Sequence, residues 1–148
     1  MPISLYDAKK SLIDFLKTLQ DNGEPLYGAQ ISYEAPRDYS PISVYGGGIR
    51  FNHTDAVAES PGVMVEESAF TALYIRVSKE IPATIEETDQ IAETVLNTII
   101  SALMTNKFGG GLSWQGMPNG ASDYSITDSE VTTILAVQVV FGKMITYV

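Results

Sequence analysis

The chain has no cysteine and a single histidine, His53. The first absence removes disulfides, thiolate zinc sites and cysteine nucleophiles together. The second removes any multi-histidine metal site and any relay of imidazoles. Basic residues are scarce: 9 Lys and Arg stand against 18 Asp and Glu, for a net charge of −9. Sequence-independent DNA binding draws its affinity from Lys and Arg on phosphates, so this balance argues against that class. It leaves open a cationic partner, or the exclusion of DNA by like charge. Long apolar runs are missing too. The longest, residues 134–141, is broken by Gln138 and is too short to span a bilayer. The first seven residues have neither a basic segment nor an apolar core, so no secretory signal is expected. No internal repeat or heptad run is visible.

What remains is a core-forming composition. Of 148 residues, 45% are hydrophobic and 18% charged, which fits one domain over residues 1–148. The absence of cysteine fits a reducing interior.

The strongest local signal is a helix over about residues 85–106. Thr84-Ile85-Glu86-Glu87 is a capping box, in which Thr84 accepts from the Glu87 amide and Glu87 reaches back to the Thr84 amide. Glu86, Glu87 and Asp89 sit where the helix dipole favours negative charge. Ile91, Val95, Ile99 and Ala102 form one apolar row, and Ala92, Leu96, Ile100 and Leu103 the next. Gly109-Gly110-Gly111 supplies a stop. A second helix is expected over about residues 4–21. Ser4 is its N-cap, Leu5, Ala8, Leu12, Phe15, Leu16 and Leu19 its apolar face, and Lys9, Lys10, Asp14 and Lys17 face water. Asn22-Gly23 ends it.

Strands are expected at residues 29–33, 70–78, 112–117 and 130–148. The last has two largely apolar faces, as a central strand would, with Gly142 marking a bulge or bend. Residues 42–45 and 49–52 flank Gly46-Gly47-Gly48 and predict a small hairpin turning on the glycines. Residues 62–66 are expected as another short strand, and residues 34–68 otherwise look irregular, as an extended β arm or a functional loop. Residues 121–128 are polar and carry no strand prediction. The sum is an α+β domain: a mixed or antiparallel sheet, both helices on one face, and a β-hairpin arm in the 34–68 region.

The search for catalytic chemistry returns little. His53 with Asp55 is outweighed by a solvated loop histidine, and Asn52-His53-Thr54 by a chance sequon. The two glycine triplets do not continue as phosphate-binding loops. Ser113, Ser122 and Ser125 have no base nearby. No catalytic, cofactor-binding or metal residue is assigned, and no enzyme or membrane role is expected.

Residues 91–103 (IAETVLNTIISAL), then Phe108-Gly109-Gly110, Trp114 and residues 133–139 (TILAVQV), follow one another in an order that resembles the tail terminator and tail completion proteins of long-tailed bacteriophages. The resemblance covers about residues 70–141. It implies a structural virion protein, assembled in the host bacterial cytoplasm and placed at the tail or neck. It implies a homo-oligomer, a hexameric ring that caps the tail tube, stops its polymerisation and offers a surface to the head–neck connector. Genomic DNA would pass through the lumen without specific binding, helped by acidic residues if these face inward. The contact surface is read from composition instead. Tyr45, Ile49 and Phe51 are apolar in a polar hairpin, and Arg50 beside them is a residue type enriched in interfaces. The hairpin is thus an interface or a local core, and Trp114 and Met117 are rim contacts or core. Two other readings stay open: a neck adaptor or head-completion protein, and a small ligand-binding α+β domain.

Overall fold

A computed structural model describes residues 5–20, 26, 28–57, 63–105, 107–108, 112–113 and 120–147. Two α-helices, α1 (Leu5–Leu19) and α2 (Ile85–Thr105), lie among seven strands. These are β1 (Gln30–Ser32), β2 (Ile42–Val57), β3 (Val63–Glu80), β4 (Lys107–Phe108), β5 (Leu112–Ser113), β6 (Gly120–Ile126) and β7 (Glu130–Tyr147). Five of them form a sheet in the order β1-β2-β3-β7-β6, and β4 and β5 pair separately. β1 runs parallel to β2 and every other pairing is antiparallel, so the sheet is mixed and the fold is α+β.

The sheet has one helix-covered face because its strands alternate. Thr71, Leu73, Ile75 and Val77 of β3 are buried, while Ala72, Tyr74 and Arg76 between them are half-buried. β7 repeats the pattern in register: Leu73 faces Val137, Ile75 faces Leu135 and Val77 faces Thr133. α1 packs over β1 and β2, and α2 over β3 and β7. Leu12, Ile13 and Leu16 of α1 meet Val95, Ile99 and Leu103 of α2 in one core with Val44, Leu73, Ile75 and Val139. Burying each such side chain fully is worth about 1.5–3 kcal/mol, so this layer carries most of the stability.

The cap of α2 forms as the sequence predicts. The Thr84 amide donates to Glu87 Oε2 at 3.1 Å, and the Glu87 amide donates to Thr84 Oγ1 at 3.4 Å. The core side of α2 runs through Thr88, Ala92, Val95, Ile99 and Leu103. Thr88 is polar yet wholly buried. Its hydroxyl shares a 2.8 Å hydrogen bond with that of Thr133 on β7, and the Thr133 hydroxyl donates to Asp89 Oδ1 at 2.6 Å. This network satisfies two buried hydroxyls and pins the helix to the sheet.

Several sequence expectations change. Gly46-Gly47-Gly48 is not a hairpin turn. β2 runs straight through it, and the register shifts there by one residue against β3. The true hairpin is the larger one between β2 and β3, whose strands close across Val57 and Val63. It provides the arm expected in the 34–68 region, with far more strand than the irregular reading allowed. His53 therefore lies in a strand, opposite Glu67, and not in a loop. Lys9 does not face water but is 6% exposed, and Ile13, absent from the expected apolar face, is buried. Residues 121–126 belong to β6 (Gly120–Ile126), an exposed edge strand held by backbone pairing to β7. The bulge anticipated near Gly142 is present: Ala69 pairs with Gly142 and Phe70 with Val140, leaving Phe141 as the extra residue. Of the strand expected over 112–117, Leu112–Ser113 is present. Ser4, Asn22-Gly23, Gly109-Gly110-Gly111 and residues 114–117 lie outside the described residues.

Candidate assembly surface

The face of the sheet turned away from the helices carries polar residues and tyrosines beside Ala72, Ile134 and Ala136. Gln30, Ser43, Tyr45, Tyr74, Arg76, Ser78 and Thr132 share it by alternation and register. Its side chains are held by one another. The Tyr45 and Tyr74 rings stack at 5.2 Å between centroids and 18° between planes. Tyr39, from the loop before β2, tilts against Tyr45 at 5.7 Å, and the Arg76 guanidinium lies 4.2 Å from the centre of its ring. Arg76 also reaches Glu130 Oε1 at 3.9 Å. Ser78 and Thr132 share a hydroxyl hydrogen bond of 2.8 Å, and the Gln30 side-chain oxygen accepts from the Ser43 hydroxyl and the Ser40 amide.

These contacts leave Tyr45 only 9% exposed. Burial, aided by a hydrogen bond with Tyr39, pushes its phenol up to about 12. Beside the stack lies a shallow groove of about 720 Å³ lined by Arg37, Asp38, Arg76, Lys79, Glu80 and Glu130 among others. Cations and carboxylates are equal in number along that lining. Among the described residues, no group of three or more His, Asp or Glu is gathered to hold a metal ion.

The remaining expected contact residues fall on the arm or beyond the description. Ile49, Arg50 and Phe51 follow the glycine bulge in β2, in register with Thr71, Phe70 and Ala69. Tyr45 lies on the near side of that bulge and belongs to the aromatic stack, so the structure separates it from the other three along the strand. Trp114 and Met117 lie outside the described residues.

Sequence reasoning missed two features of this surface. The stack joins residues 39, 45 and 74, which only the pairing of β2 with β3 brings together. The edge strand β6 exposes Tyr124 and Ile126 at 63% and 62%. Seven residues without an apolar face gave no periodic signal for it. A short Thr-x-x-Glu turn before the strong β7 pattern is the one available cue: the Thr127 amide donates to the Glu130 carbonyl at 2.9 Å, and the Glu130 amide donates to Thr127 Oγ1 at 3.1 Å.

The sheet also outruns its helices. β3 has 18 residues, about 60 Å of extended chain, whereas the 21 residues of α2 span about 32 Å. β2, β3 and β7 remain paired to their far ends, so the excess is a three-stranded arm. No described helix is long and apolar enough to cross a membrane.

Comparison with known proteins yields no matching family model and no similar curated protein. Among solved structures, the chain is similar to one in a structure described as "Virion of native gene transfer agent (GTA) particle". The identity is 14%, the match covers 90% of this chain and 94% of that one, and the TM-score is 0.45. At those values the likeness establishes neither family nor function.

Proposed function

We propose that this chain is a structural subunit of a phage-type tail, a terminator that assembles as a ring on the end of the tail tube, halts its growth and receives the head–neck connector. The observation that carries the reading is the long three-stranded arm beyond the helix layer. An extended arm on a compact base lets one subunit engage its neighbour, as a closed ring requires of heterologous contacts. The helix-free face and the exposed edge of β6 offer further contact area, since a sheet edge is a template for pairing with another chain. Ile49, Arg50 and Phe51 on the arm, with Trp114 and Met117, are proposed contact residues, and Tyr45 is proposed to order the helix-free face through the aromatic stack. The acidic balance suits a lumen through which DNA moves without adhering.

The test is electron microscopy of the purified protein mixed with polymerising tail-tube subunits of its own phage. The reading expects capped tubes of fixed length with the wild-type chain, and uncapped growth with Phe51→Asp. Tube growth untouched by the wild-type protein, together with its joining of isolated connector rings, would transfer the assignment to a neck adaptor. Binding to neither would end the virion reading.

A further inference from the structure

The glycine bulge of β2 is held from two sides by side chains that the assembly reading leaves unused. Between Gly46 and Ile49 β2 advances three residues while β3 advances two, from Leu73 to Thr71. One extra residue is thus accommodated, and a bulge frees backbone groups from the ladder while bending and twisting the strand. The freed carbonyls are met. Lys9 Nζ, on α1, donates to the Gly47 carbonyl at 2.6 Å. The Thr71 hydroxyl, on β3, lies 3.3 Å from the carbonyls of Gly47, Gly48 and Ala72, so its one proton is shared among them.

Lys9 is an unusual residue for the task. It is 6% exposed, and its ammonium sits 3.8 Å from the centre of the Tyr33 ring. Lysine is almost never fully buried without a partner. Here the partners are a carbonyl and a ring face, both of which favour a cation. Burial lowers its proton affinity below the usual value, and the charge of Glu34 partly opposes that shift. The glycines are shaped to the same contact. A Cβ at Gly46 would stand 2.7 Å from both Lys9 Cε and the Tyr33 carbonyl oxygen, and one at Gly47 would stand 2.7 Å from the Tyr74 ring and 2.9 Å from Ala72 Cβ. The backbone there approaches α1 and β3 more closely than any side chain would allow.

We infer that Lys9 is a positioning residue that locks the Gly46–Gly48 bulge to α1 and thereby sets the direction in which the arm leaves the base of the sheet. Thr71 is the second, weaker fastening on the same carbonyls. The lock couples the N-terminal helix to the arm across 38 residues of sequence. It rests on the geometry of the isolated chain and not on the tail-end assignment.

The test is amide hydrogen exchange, segment by segment, on the full chain and on Lys9→Met and Thr71→Val. Methionine keeps most of the apolar stem and removes the ammonium. Valine keeps the shape of threonine and removes the hydroxyl. The expected result is at least tenfold faster exchange in residues 49–57 and 63–70 of Lys9→Met, with residues 73–78 and 131–137 protected as in the wild type. Thr71→Val should show the same pattern with a smaller change. Exchange in the arm within twofold of wild type in both variants would overturn the lock. So would a parallel rise in arm and base, which is the signature of an ordinary core residue. If Lys9→Met does not fold, Thr71→Val decides alone by the same two criteria. Failure of the protein to cap tail tubes would leave this result untouched, so the two proposals fail separately.

Discussion

The two faces of the sheet are made from the same strands and held by different means. On the helix side, Leu73 and Ile75 are fully buried and Val77 nearly so. One residue away on the same strand, Tyr74 and Arg76 are half-buried and depend on stacking and a cation over a ring. The first face is stabilised by removal of apolar surface from water, which is non-directional and large. The second is stabilised by paired geometry, worth about 0.5–1.5 kcal/mol per aromatic pair beyond its area. A face held in the second way keeps its strands ordered, with Gln30, Tyr74 and Arg76 half-buried on it and Ser43, Tyr45, Ser78 and Thr132 buried. The difference follows from where the helices lie and not from any difference in strand propensity.

Four substitutions and one titration sharpen that contrast. Ile75→Ala on the covered face should cost about 2–5 kcal/mol, read as a lowered midpoint in chemical denaturation. A loss below about 1 kcal/mol would mean that the helix layer does not carry the stability. Thr133→Val removes the donor to Asp89 and one partner of Thr88, and should cost about 0.5–1.5 kcal/mol, because Thr88 keeps the Ile85 carbonyl and Asp89 is exposed to water. A neutral result would show that the hydroxyl network does not pin α2 to the sheet. Thr84→Ala removes the cap of α2 and should cost about 1 kcal/mol, with amide exchange accelerated first in residues 85–88.

The helix-free face is probed by pH. Tyr45 holds its proton to about 12 against the usual 10. The folded state binds that proton more tightly than the unfolded state, so the stabilisation is complete below pH 10 and is lost as pH rises toward 12. Ultraviolet titration of tyrosinate should show one late component that Tyr45→Phe abolishes. If that component survives in Tyr45→Phe, the late-titrating phenol is a different one. The smallest effect belongs to the edge. Tyr124→Ser on β6 should change stability by less than about 0.5 kcal/mol, because its side chain is 63% exposed. A larger loss would mean that β6 is covered in solution, which analytical ultracentrifugation would detect as self-association.

How much was legible follows from the kind of signal each element leaves. α2 was readable in its cap and in its apolar rows, because both are local and periodic. β7 was readable because alternation over many residues has no other explanation. β6 was not, since a strand exposed on both faces holds its place by backbone pairing, and backbone groups are the same in every residue. Lys9 was misread because a lysine on an amphipathic helix normally faces water. Nothing in residues 5–19 indicates that a bulged strand passes beneath it. The glycine triplet was read as a turn on sound local grounds, for three glycines permit either a reversal or a bulge. The choice between them is made by β3, which pairs with β2 on both sides of the triplet. For the same reason Tyr45 was grouped with Ile49, Arg50 and Phe51, neighbours in sequence that the bulge divides.

The sequence by itself determined that this chain builds a core, lacks cysteine chemistry and multi-histidine sites, carries excess negative charge, caps its long helix with Thr84 and Glu87, and ends in a long strand. Those are properties of composition and of patterns a few residues wide. Only the tertiary structure decided which face of the sheet stays free of helices, that β2 and β3 extend as an arm, and that Lys9, Gly47 and Thr71 meet at its root. The last depends on contacts between residues 24 and 38 positions apart, and local physics does not encode which distant partner a carbonyl, an ammonium or an aromatic ring will find.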